Sequence, residues 1–466
     1  MFKVVDNHQL TLILNNRQKT TKMRHFFKGI LLLLIVLIFY QCKKEHVSEP
    51  LIDIPDKLFL NALIERGVDS DNDKLISQAE AEALTFLDVS STGIFDLKGI
   101  ENFTKLETFV CSQNNIKKID VSKNIDLKQF NVSGNQLVEL NLENNQNLTG
   151  CNCSGNKLTN LDISDKKSLN SLNCENNKLK ILNVSGNSAL KELNCEENNL
   201  EELELSTCIA IEKLHCYHNQ LASLDLSGNI ELNYLDCRAN KISSINLSKN
   251  ANLEFLNCNY NDQLRSLDIS NASALNYLYC SNADLQILDV SKNLMIQTIV
   301  CLENKIAVLN LSENNNLIVL RCDGNLIKNL DISKNKGLQV LFCRQNSLES
   351  IDLTNNLELT FLDCAVNAIQ NLDITKNLKL ETVNCEQTAI KTLDVTQNES
   401  LVQLLCSETN LEQLNVSLNK KLKILWLENM PKLNKVCVWD MPFPPNENFE
   451  LRADNSPNVY FTVNCD

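Results

Sequence analysis

Cysteine returns every twenty-one residues through most of this chain. Cys153, Cys174, Cys195, Cys216, Cys237 and Cys258 keep that interval, one 22-residue step leads to Cys280, and the beat resumes through Cys301, Cys322, Cys343, Cys364, Cys385 and Cys406. Neither a metal site nor a disulfide framework needs such a metre. A solenoid does, because each winding presents the same small apolar side chain to the same interior slot. The length of 466 residues would otherwise suggest several globular domains, but a solenoid grows in one direction without a larger spherical core.

One winding runs from Leu169 to Ala189. Leu169, Leu172, Cys174, Leu179, Leu182 and Val184 are its inward positions, and Asn177 and Asn187 its corners. The leading position recurs to Leu422, with a variant opening at Leu84, giving about 17 windings. At ~4.8 Å each, the array is roughly 80 Å long. Leu172-Asn173-Cys174 and Leu182-Asn183-Val184 alternate in, out, in, as short strands do. No stretch within a winding leaves room for a helix of about 10 residues. The corner asparagines have a backbone task, since one amide can serve both an N–H and a C=O left without a partner in a buried turn. That column lapses at Ala283, Thr388, Thr409 and Met430, where looser turns are expected.

The pattern L-x-x-L-x-C-x-x-N-x-L, followed by x-x-L-D-[LIV]-S-x-N, resembles the leucine-rich repeats of bacterial surface proteins, internalin-like in a loose sense. It covers residues 84 to about 430. The resemblance implies a mainly β, right-handed, curved solenoid with a parallel sheet on the concave side, extended segments on the convex side, and a partner, often a protein, bound by the concave sheet.

Fourteen of the 19 cysteines fill the interior column, and Val132 and Leu427 take the same slot elsewhere, so the slot wants a compact hydrophobe. Burial makes such thiols inert. Cys437 and Cys465 lie outside the array on either side of a proline-rich stretch, and are the expected disulfide, holding residues 431–466 as a cap on the open end of the sheet.

The first 41 residues read as an export signal, with Met23 a better start than Met1: Arg24 and Lys28 precede the apolar run Ile30 to Tyr40, which is too short to span a bilayer. Cys42 follows, as in a bacterial lipoprotein signal whose cysteine is lipidated; the alternatives are an uncleaved anchor or a plain secretory signal. Residues 42–50 would be a tether and 51–83 a helical cap, with a short helix over Ile54 to Arg66 and Pro55 near its first turn. In that cap, Asp69, Asp71, Asp73, the Leu75 carbonyl, Ser77 and Glu80 fall at positions 1, 3, 5, 7, 9 and 12 of a loop resembling an EF-hand. Lys74 replaces the family's glycine, so weak calcium binding is expected; the alternative is a loop that caps without metal.

The outward strand positions change character along the array. Flanking windings show Asn152, Asn173, Asn194 and Asn384, whereas the central ones show His215, Tyr217, Tyr234, Arg238, Phe255, Tyr277, Tyr279, Leu302, Arg321, Phe342, Arg344 and Phe361. Aromatics with arginines are enriched at interface hot spots, and stacking along a sheet does not explain why the row stops at both ends. The aspartate column from Asp120 to Asp394 reads instead as a solvated, turn-supporting edge. A net charge of −14 argues against nucleic acid. No phosphate loop, zinc motif or catalytic triad is present. The expectation is a monomeric, non-enzymatic recognition or adhesion protein, lipid-anchored at the outer membrane or cell surface, that binds a protein through its concave face. The alternatives are carbohydrate capture and a structural envelope spacer.

Overall fold

Each winding contributes one three-residue strand with its middle side chain inward, and the parallel register that follows aligns equivalent residues of every turn. The computed structural model describes residues 50–465; the export segment and Cys42 lie outside the described residues. Eighteen such strands, from Phe86–Asp88 to Glu450–Arg452, form one long sheet. Short parallel groups lie on the other side of the winding, such as Asn160–Asp162 with Ile181–Asn183, and Ser223–Asp225 with Ser244–Asn246. Between the two sides runs a continuous core, in which the described column cysteines are fully buried. Burial pushes their thiols up, to about 12 at Cys195, Cys258 and Cys301, so they are inert spacers. Each buried leucine adds roughly 1.5–3 kcal/mol of hydrophobic stabilisation.

The corner amides serve both kinds of backbone group. Asn177 Nδ2 donates to the Cys153 and Cys174 carbonyls, each at 3.1 Å, and its Oδ1 accepts from Leu158 N at 3.0 Å, tying adjacent windings. The turns at Thr388 and Thr409 are not looser. Both residues are buried, and their hydroxyls donate to the Cys385 and Cys406 carbonyls at 2.7 and 2.9 Å, doing half of the amide's work. The residue before this corner is left-handed in winding after winding, including Glu197 (φ 52°), Ala239 (φ 53°) and Val366 (φ 57°).

The cap precedes the first strand. Helix α1 is Lys57–Glu65 and α2 is Gln78–Glu82. Pro55 stands before α1 rather than in its first turn, because Asp56 is the N-cap, accepting from Leu58 N and Phe59 N at 2.8 and 3.3 Å. The other oxygen of Asp56 accepts from Phe95 N and Asp96 N at 2.8 and 3.0 Å, which fastens the cap to the first winding.

At the far end, residues 431–465 carry both sides of the solenoid onward. Glu450–Arg452 pairs with Ile424–Trp426, while Lys435–Cys437 pairs with both Gln413–Asn415 and Tyr460–Thr462. The eighteenth strand is hidden from a count of periods because 26 residues separate Ile424 from Glu450. The extra length folds over the end as a cluster of Trp439, Phe443, Phe449 and Phe461, beside a disulfide between Cys437 and Cys465.

Candidate binding face

Alternation along the strands sends the residues on either side of the buried leucine to the open face of the long sheet. Register then stacks them. Tyr234 pairs with Phe255, and Phe255 with Tyr277. The rings of His215 and Tyr234 lie 4.8 Å apart, and those of Tyr234 and Phe255 4.4 Å apart at 3°. Phe255 meets Tyr277 and Tyr279 at 6.5 and 5.5 Å in tilted contacts. Arg238 lies over the Tyr217 ring at 4.2 Å. This is one cluster.

A second cluster stands farther along. Phe342 and Phe361 stack at 4.4 Å, and Arg321 lies over Phe342 at 4.3 Å. Arg344 is exposed, and its N–H donates to Asp323 at 3.1 Å. Leu302 is half-buried in the aliphatic stretch between the clusters and joins neither through a ring contact. The expected residues therefore form two aromatic–arginine clusters with an apolar interval between them.

The carboxylates beside the arginines were not among the expected residues. Asp236 pairs with Arg238 at 3.5 Å and Asp323 with Arg321 at 3.9 Å. The signal was present, since each acid lies two residues from its arginine. Burial raises the pKa of Asp236 and Asp363 and pushes Asp323 up to about 6, although the Arg344 N–H and the Arg321 charge oppose it. Burial lowers His215. Burial and then the neighbouring Glu196 push Tyr217 up to about 12. A third arginine, Arg452, lies 4.1 Å over Trp426 and pairs with Glu450 at 2.7 Å; the irregular 26-residue interval conceals that alignment.

In the cap, the carboxylates of Asp69, Asp71 and Asp73 converge, with oxygens within 4.8 Å of one another. Lys74 is left-handed at φ 67°. Glu80 stands apart from that group: its carboxylate accepts from the N–H and hydroxyl of Ser70 at 2.6 and 2.8 Å, and from those of Ser77 at 2.9 and 3.0 Å. Burial would raise its pKa, but these donors bring it down to about 2. Ser77 is the N-cap of α2, and Leu75 N donates to Asp73 at 2.8 Å. The aspartate column does support turns: Asp120, Asp225 and Asp331 each accept from the N–H two residues on. His215 faces outward and His218 sits in a left-handed turn.

No protein-family model and no curated protein matches the chain. Solved structures do. The functional domain of InlJ from Listeria monocytogenes, which includes a cysteine ladder, is 33% identical over 70% of this chain and 72% of that one, with a TM-score of 0.65. A leucine-rich-repeat protein of Leptospira interrogans is 17% identical over 75% of this chain and 93% of that one, with a TM-score of 0.56. A chain of the Toll–Spatzle complex of Drosophila is 15% identical over 81% and 60%, with a TM-score of 0.60. The last two share the fold. With a third of its residues in common with the Listeria domain over most of both chains, this protein belongs to the internalin-like leucine-rich-repeat family.

Proposed function

We propose that this protein is a non-enzymatic recognition protein of the cell envelope that docks a protein partner on the open face of the long sheet. The observation that carries this reading is the pair of aromatic–arginine clusters. Each has an arginine held over a ring and paired to a half-buried or buried acid, so little side-chain entropy remains to be lost on binding. The stacking also bears on the alternative of sugar capture by this belt. Tyr234 and Phe255 spend their facing surfaces on each other, and what they offer outward is ring edges, whereas a sugar packs on a ring face.

Cross-linking on intact cells tests the reading, comparing the wild type with a variant carrying Tyr234→Ser, Tyr277→Ser and Phe361→Ser. A specific protein partner is expected with the first and lost with the second, while both fold. A spacer role predicts the same cross-links for both. Anchoring through Cys42 belongs to the same proposal; fatty-acid labelling that survives Cys42→Ala would remove it. Calcium held by Asp69, Asp71 and Asp73 would stabilise the cap rather than signal.

A further inference from the structure

Between Thr108 and His215 the open face of the long sheet is hollow and polar. Gly150 and Ser171 bring little bulk to it, leaving a groove of about 670 Å³. Asn131, Asn152 and Asn173 line this groove in register on consecutive strands. Each commits its Oδ1 to the turn that follows. Asn131 accepts from Ser133 N and Oγ at 3.1 and 2.7 Å, Asn152 from Ser154 N at 3.0 Å, and Asn173 from Glu175 N at 3.0 Å. Those backbone donors identify the oxygen of each amide. The Nδ2 groups are left for the groove, and no described residue accepts from them. The row ends at Asn194, whose Nδ2 is taken by Glu175.

At the same end stands a ring. His215 gives one face to Tyr234 and borders the groove with the rest of its imidazole. Burial lowers its pKa, which favours the neutral ring. The groove therefore offers a line of uncharged donors and a flat platform, an arrangement distinct from the stacked belt beside it.

The spacing selects the occupant. The donors repeat at the strand spacing, ~4.8 Å, whereas an extended peptide turns carbonyls to one side only every second residue, ~6.6 Å, and loses register at once. A linear glycan in extended form advances by about one strand spacing per sugar, and although alternate sugars of a β-1,4 chain turn over, both edges of each sugar carry hydroxyl or ring oxygens as acceptors. Glu192 lines the groove and Glu175 and Glu196 flank the His215 end, so a neutral chain fits better than an anionic one. We infer that the groove spanning Thr108 to His215 is a binding site for a neutral linear glycan, with Asn131, Asn152 and Asn173 donating to successive sugars and His215 stacking on the sugar at the end. This site shares His215 with the protein-docking face and is otherwise built from different residues.

Titration calorimetry of the intact protein with neutral cello-, xylo- and chito-oligosaccharides of two to six sugars tests the inference. The informative variant is N131D/N152D/N173D. Aspartate already holds this position at Asp236 and Asp363, where Oδ1 accepts from Arg238 N and Ala365 N at 3.3 and 3.1 Å. The change therefore keeps each turn and removes each outward donor. At least one series is expected to bind, more tightly with each added sugar up to four, and the triple variant to lose about tenfold or more in affinity with its thermal midpoint retained. N152D alone, the mildest change in the row, is expected to lose about threefold. Failure of all three series to bind the wild type overturns the site, as does undiminished binding by either variant.

Discussion

At the scale of the residue, the fold imposes one conformation that few side chains favour. The residue before the corner asparagine of the Asn177 column is left-handed in winding after winding, yet in that column glycine occupies it only at Gly134, Gly155 and Gly324. Val366 is the costliest occupant, because a β-branched side chain crowds the following carbonyl there. Val366→Gly is expected to stabilise the protein by about 0.5–1 kcal/mol, the relief of roughly 1–2 kcal/mol of strain less the extra freedom glycine has when unfolded; denaturant unfolding reads it directly. Asp323 is the electrostatic counterpart. Its folded pKa of about 6 lies above the ordinary carboxylate value. The folded state therefore binds more protons than the unfolded state between that value and pH 6, and this residue's contribution makes stability fall as pH rises through the interval. Asp323→Asn is expected to flatten the fall and to raise stability at pH 8 by about 1 kcal/mol. A steeper fall in the variant would contradict the assignment.

At the scale of the element, what could be read from the chain depended on whether a position repeats. The cysteine slot, the asparagine corner and the alternation around Leu172 recur often enough that chance is excluded, and the structure places each as the pattern implies. The aromatic row was legible for the same reason, as a departure from a known column. Features that occur once were read only in outline: the Cys437–Cys465 bridge and a short helix before the array were legible, their tertiary partners were not. The N-cap role of Asp56 depends on where Phe95 and Asp96 arrive from the first winding, and the strand Glu450–Arg452 lies beyond an insertion that breaks the metre. Asp56 is half-buried, and although burial would raise its pKa, its four backbone donors hold it below the ordinary value. Its stabilising effect is complete above the unfolded carboxylate pKa and is lost as pH falls through the folded one. Asp56→Ala is expected to cost about 1–2 kcal/mol at pH 7 and to release the cap before the windings melt, a sequence that hydrogen exchange resolves over residues 57–65. For the acidic loop, a dissociation constant on the order of 10⁻³ M implies that 10 mM calcium adds about 1.4 kcal/mol of stability. D71N/D73N should erase that gain, and a calcium-independent melting curve in the wild type would leave the loop a metal-free cap.

At the scale of the whole molecule, a solenoid makes distance adjustable in units of one winding, because each turn contacts only its neighbours. The two aromatic–arginine clusters are separated by the strands Thr298–Val300 and Val319–Arg321, the second of which already supplies Arg321. Deleting residues 296–316 joins Met295 to Leu317 in phase, so every inward leucine and cysteine remains in its column while the clusters move together by ~4.8 Å. Deleting residues 380–400 is the matched control, removing an equal length outside both clusters and outside the polar groove. Both proteins should unfold cooperatively with similar midpoints, since each loses one winding and no cap. If a single partner spans both clusters, the first deletion should abolish its capture and the second should leave it intact. Equal capture by the two would mean that the partner reads one cluster alone, and the pairing of arginines with rings at both places would then need a purely structural explanation.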